Sequence, residues 1–136
     1  MERILIVDDD HETRVVLEEI LTRSGFAVSV AMGGSEAVRC WRTERIDLAI
    51  IDVWMPEKDG LETIMEIRRI TSNAKIIAIS GGGQRAKRDY LSSAKLMGVD
   101  ATFQKPFDIE ALLDMLHRLE IEGNATTPPP SSRASG

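Results

Sequence analysis

Three runs in this chain are apolar along their whole length, with no polar residue breaking the pattern: Ile4–Val7, the stretch that ends Leu48-Ala49-Ile50-Ile51, and Ile76-Ile77-Ala78-Ile79. A strand with no polar face has to be covered on both sides, which is the situation of a parallel sheet sandwiched between helices. That requirement narrows the fold more than any other feature of the sequence. It also gives weight to the residue that ends the middle run, the carboxylate of Asp52.

The segments between these runs read as helices. A first strand over Arg3–Asp8 leads into a helix over Asp10–Ser24, with Val16/Ile20 and Leu17/Leu21 at i, i+4 spacing. Gly25 ends it as a C′ glycine. Phe26–Ala31 alternates and is expected at a sheet edge. Gly33–Arg42 is a short helix with Ala37, Val38 and Trp41 inward, followed by a third strand over Asp47–Ile51. A loop with Pro56 and an Asp59-Gly60 turn precedes a helix over Leu61–Ile70, whose expected stripe is Leu61, Ile64, Met65 and Arg68. Lys75–Ser80 is the fourth strand, broken by Gly81-Gly82-Gly83, and Arg85–Met97 the fourth helix, capped by Gly98. Asp100–Gln104 is a short fifth strand stopped by Lys105-Pro106. The last helix spans Asp108–Ile121, with Asp108 as its N-cap. Five βα units with short connections predict an α/β, doubly wound five-stranded parallel sheet with five helices.

Composition limits the function classes. The 136 residues suit one domain over 1–121. The stretch 122–136 is rich in Pro and Ser and is expected to be a disordered tail. A net charge of −5 argues against direct nucleic-acid binding. The single cysteine, Cys40, rules out an internal disulfide or a CxxC site. No run is apolar enough for a signal sequence or a membrane span, so the expected location is cytoplasmic.

Parallel strands end on one side of the sheet. That edge would collect Asp8, Asp9 and Asp10 from the first strand, Asp52 from the third, Ser80 from the fourth and Lys105 from the fifth. Carboxylates brought together repel one another, and a divalent cation relieves the conflict. An all-oxygen donor set suits Mg²⁺. A lysine, a hydroxyl and a cation around a carboxylate can bind a phosphoryl group, and a carboxylate can itself be the nucleophile that accepts one.

These residues resemble the receiver domain of two-component response regulators, on the acid pair Asp8-Asp9, the segment IIDVWMPEKDG, the strand-end Ser80 and the triplet Lys105-Pro106-Phe107. The resemblance covers about residues 1–121 and implies a flavodoxin-like sheet of order 2-1-3-4-5. It implies that Asp52 accepts a phosphoryl group from a sensor histidine kinase or phosphotransfer protein. It also implies that Mg²⁺ is held by Asp8, Asp9, Asp52 and the backbone carbonyl of Trp54, and that Ser80 and Lys105 contact the phosphoryl oxygens. A cis bond is implied before Pro106. Ser80, Thr102 and Phe103 would form the switch region, serving a downstream protein partner or a phosphorylation-dependent dimer. Three features depart from the common pattern, one being a longer segment from Ser80 to Gly98 that contains Gly81-Gly82-Gly83. Thr102 stands three residues before the lysine, where the family often has an aromatic, and Phe103 beside it should face the opposite way. Trp54, two residues past Asp52, should sit at the rim of the site.

An alternative reading is a haloacid-dehalogenase-like phosphohydrolase, with Asp8-x-Asp10 as its DxD start and Asp8 as nucleophile. It leaves Asp52 without a role. Gly81–Ala86 matches GxGxxA but follows the fourth strand rather than the first, which argues against a dinucleotide site. His11 is expected to face solvent.

Overall fold

The computed structural model describes residues 2–55, 60–81, 85–119 and 121, with the backbone alone for 85–89. Five strands and five helices alternate: β1 (Arg3–Val7), α1 (His11–Arg23), β2 (Ala27–Ala31), α2 (Gly34–Thr43), β3 (Leu48–Asp52), α3 (Gly60–Ile70), β4 (Ile76–Gly81), α4 (Arg85–Leu96), β5 (Ala101–Lys105) and α5 (Ile109–Arg118). The strands are parallel in the order β2-β1-β3-β4-β5, as the alternation of apolar runs and helices requires.

Side chains leave each strand alternately to the two faces, so each face has its own core. On one face Leu5, Val7, Ala49, Ile51, Ile76 and Ala78 pack with Ala37 and Trp41 of α2, Ile64 and Ile67 of α3, and Leu91 and Ala94 of α4. On the other, Ile4, Ile6, Leu48, Ile50, Ile77 and Ile79 pack with Leu17 and Leu21 of α1 and Leu112 and Leu116 of α5. The central strands β1, β3 and β4 are buried almost throughout, while β2 and β5 are mostly half-buried edges. Gly25 (φ 94°) and Gly98 (φ 83°) close α1 and α4 in the left-handed region that the sequence reserves for glycine.

Several expected boundaries move by one residue. Pairing continues one residue past the expected strand ends, so β3 includes Asp52, opposite Ile79, and β5 includes Lys105, opposite Gly81. Phe26 lies just before β2. The expected stripe of α3 holds at Leu61 and Ile64 and is corrected at Met65. Its buried residues are Gly60, Thr63, Ile64 and Ile67, whereas Met65 is 46% exposed. Val16 of α1 is likewise exposed, and only Leu17 and Leu21 are buried there. The expectations for Pro56–Asp59, for Gly82 and Gly83 and for the tail over 122–136 lie outside the described residues.

Candidate phosphoryl and metal site

The register of the three central strands brings their ends level. Val7 pairs with Ile51, and Asp52 with Ile79, so Asp8, Asp52 and Ser80 emerge side by side. Asp8 and Ser80 are fully buried and Asp52 nearly so, an unusual concentration of polar groups for a core.

Each carboxylate is held in place. Asp8 Oδ1 accepts the backbone N–H of Asp10 at 2.9 Å. The guanidinium of Arg14, in the first half of α1, donates to the Asp8 carbonyl at 2.7 Å and fastens the turn from behind. Asp52 Oδ1 accepts the N–H of Trp54 at 2.9 Å. The ammonium of Lys105 donates to Asp8 Oδ2 at 2.7 Å and to Asp52 Oδ2 at 3.2 Å. The Lys105-Pro106 peptide bond is cis, in agreement with the sequence reading.

Asp9 is exposed and completes the acid group. Asp8, Asp9 and Asp52 each place one carboxylate oxygen within 4.8 Å of the others. One ammonium against three carboxylates leaves the site strongly negative. Burial and the neighbouring Asp8 charge push the Asp52 carboxyl up to about 6. Burial pulls the Lys105 ammonium down, but its hydrogen bond to Asp8 and the two carboxylate charges outweigh that and hold it above its ordinary value. The Ser80 hydroxyl is buried and has no hydrogen-bond partner among the described residues. A hard, all-oxygen, partly buried acid triad fits Mg²⁺, which would supply the positive charge that one lysine cannot.

Asp10 does not join this group. It is exposed, caps α1 and takes the Thr13 hydroxyl at 2.7 Å, a bond that holds its carboxyl below the usual range. His11 is exposed, as expected. Phe103 lies on the α1/α5 face, where its ring meets Phe107 at 5.9 Å. Thr102 is half-buried and, by strand alternation, faces the opposite side. Trp54 is 39% exposed, and its ring stands edge-on to Tyr90 of α4, with centroids 4.9 Å apart at 77°.

Sequence reasoning missed three contributors. Arg14 carries a signal, since it lies one turn into the helix that follows the acids. Tyr90 carries none, because it meets the site only through space. Gly60 was read as a turn residue. In the structure a Cβ there would lie 2.4 Å from the Asp52 carbonyl oxygen and 2.4 Å from Val53 Cα, so the start of α3 rests directly on the backbone that carries Asp52.

Comparison with known proteins agrees with this geometry. The family model described as the response regulator receiver domain matches residues 4–117. The sporulation initiation phosphotransferase F of Bacillus subtilis is 32% identical over 124 residues, covering 90% of this chain and 98% of that protein. The response regulator TrrA of Thermotoga maritima, solved in complex with Mg²⁺ and BeF, superposes with a TM-score of 0.75 at 34% identity over 88% of this chain and 99% of that chain. A structure of TrrA in complex with the histidine kinase ThkA matches with a TM-score of 0.72 at 30% identity over 88% of this chain and 98% of that chain. The chain belongs to the response regulator receiver domain family. Its function is that of a signalling switch which takes a phosphoryl group on an aspartate from a histidine kinase. The phosphohydrolase reading falls with this assignment, and Asp52, which it left without a role, stands at the centre of the site.

No helix among the described residues is long and apolar enough to cross a membrane.

Proposed function

We propose that Asp52 is the phosphoacceptor, that Asp8, Asp9, Asp52 and the backbone carbonyl of Trp54 hold Mg²⁺, and that Ser80 and Lys105 bind the phosphoryl oxygens. The observation that carries this reading is the Lys105 ammonium shared between Asp8 and Asp52, beside a buried Ser80 hydroxyl with no partner among the described residues. A buried hydroxyl left unpaired costs stability, and its use in another state of the protein accounts for its being kept.

In the reaction, a carboxylate oxygen of Asp52 attacks the phosphorus of a phosphohistidine. The new O–P bond forms as the P–N bond breaks, and its electron pair returns to the imidazole. Bound Mg²⁺ would neutralise charge on the transferring group and orient it. Lys105 already sits against Asp52 Oδ2 and neutralises a second share of that charge. Ser80, at the end of β4, donates its free hydroxyl to a phosphoryl oxygen. The Trp54 N–H keeps the Asp52 carboxylate turned to the edge of the sheet. The phosphoryl group adds charge and acceptor oxygens that draw in Ser80, and the switch region of Ser80, Thr102 and Phe103 responds.

The donor is a sensor histidine kinase or phosphotransfer protein. Its docking place is the groove of about 580 Å³ between α1 and the segment after β5, lined by Thr13, Val16, Lys105, Pro106 and Phe107. The half-exposed Val16 and the rings of Pro106 and Phe107 give an apolar seat next to the acceptor. A protein partner, or a second copy after phosphorylation, reads the switched surface, and the negative net charge argues against direct nucleic-acid contact. We assign the receiver to residues 1–121 and the protein to the cytoplasm.

The test is intact-mass measurement after incubation with a small phosphodonor. Wild type with Mg²⁺ gains a single phosphoryl group, and neither a chelator-treated sample nor Asp52→Ala does. An adduct that survives Asp52→Ala but is lost in Asp8→Ala would contradict the assignment.

A further inference from the structure

The site has to inform a surface, and no aromatic on β5 faces α4 in this chain. Thr102 has no ring, and Phe103 is packed against Phe107 on the α1/α5 face, away from α4. Another aromatic contact does join the site to α4. Trp54 is tied to the acceptor through its own backbone, whose N–H donates to Asp52 Oδ1 at 2.9 Å. Its ring leaves the core and stands edge-on to Tyr90, 4.9 Å away at 77°. Tyr90 is half-buried and packs onto the same core as its neighbours Leu91 and Ala94, the residues that seat α4 on the sheet. This ring pair is a direct side-chain contact between the acceptor loop and α4.

We propose that Trp54 and Tyr90 form the coupling by which occupancy of the phosphoryl site reaches α4, in place of an aromatic on β5. The inference rests on Asp52 being the acceptor. Any change in the Asp52 carboxylate alters the hydrogen bond that fixes the Trp54 backbone. The indole is rigid and moves with that backbone, and an edge-to-face pair is sensitive to small displacements. Tyr90 passes the change to the helix that carries it. Tyr90 is here a positioning residue and touches no phosphoryl oxygen.

The test is amide hydrogen exchange with and without Mg²⁺ and beryllium fluoride, a phosphoryl mimic, in wild type, Tyr90→Leu and Tyr90→Phe. Three segments are followed: the two site strands, Leu48–Asp52 and Ala101–Lys105, and helix Arg85–Leu96. In wild type the mimic changes exchange in all three. In Tyr90→Leu the strands respond as before while the change in the helix falls by at least half, and Tyr90→Phe, which keeps the ring, restores it. A helix response in Tyr90→Leu equal to wild type, with the strands responding, overturns the coupling alone. Strands that do not respond in wild type overturn the acceptor assignment and the coupling with it. Should Tyr90→Leu not fold, Trp54→Leu serves, since Trp54 is 39% exposed. There a retained helix response wherever the strands respond overturns the coupling, and a lost one supports it.

Discussion

Lys105 and Asp8 are 97 positions apart in the chain and 2.7 Å apart in the structure, and the same ammonium reaches Asp52 at 3.2 Å. Asp8 is fully buried and the lysine side chain is 20% exposed, so the pair lies mostly out of solvent screening. Removing one partner of such a pair leaves a buried charge uncompensated. Lys105→Met should therefore lower the stability of the metal-free protein by about 2 to 3 kcal/mol, read by urea unfolding. Added Mg²⁺ should recover part of the loss, because it replaces the missing positive charge. A variant as stable as wild type without metal would contradict the role assigned to this ion pair.

Asp52 predicts a pH dependence. Burial and the Asp8 charge push its carboxyl to about 6, from an ordinary 3.8. The folded state thus binds more protons than the unfolded state between these values, and this group's contribution to stability falls as pH rises from about 4 to 6. Asp52→Asn removes that loss. In the metal-free protein at pH 7.5 it should raise stability by roughly 2 to 3 kcal/mol, at about 1.4 kcal/mol per pH unit. The gain should shrink toward zero near pH 4. Thermal unfolding across that range checks both the sign and the window.

Ser80 predicts a separation of stability from function. Its hydroxyl is buried without a partner among the described residues. Ser80→Ala should leave the unphosphorylated protein as stable as wild type or up to about 1 kcal/mol more stable. The same change should weaken the response to beryllium fluoride, since the hydroxyl that would meet the mimic is gone. Chemical unfolding and hydrogen exchange on one sample report the two effects.

Gly60 predicts a steric limit. A methyl group there would sit 2.4 Å from two main-chain atoms, the Asp52 oxygen at the end of β3 and Val53 Cα just past it. Gly60→Ala should cost about 3 kcal/mol or more. It should also weaken Mg²⁺ binding, because relief requires α3 to move away from the backbone that carries Asp52. Isothermal titration with Mg²⁺ measures the second effect.

Much of this site was legible in the sequence because the fold is. Unbroken apolar runs require a parallel sheet, a parallel sheet aligns its strand ends, and the residues at those ends, Asp8, Asp52, Ser80 and Lys105, then have to meet. The limits of that reasoning are equally physical. Hydrogen-bond ladders run one residue past the expected strand ends, which places Asp52 and Lys105 inside their strands rather than after them. The close approach of Gly60 constrains the face of α3 together with hydropathy. That turns Thr63 and Ile67 inward and leaves Met65 exposed. The Trp54–Tyr90 contact joins residues 36 positions apart that no local pattern relates.

The most direct measurement of the central claim is to locate the phosphoryl group. The protein is phosphorylated with a small donor and Mg²⁺, treated with borohydride, which reduces an acyl phosphate to an alcohol, and digested for peptide mass analysis. The account predicts homoserine at position 52 and aspartate at positions 8, 9 and 10. Homoserine at position 8 with aspartate intact at 52 would contradict it.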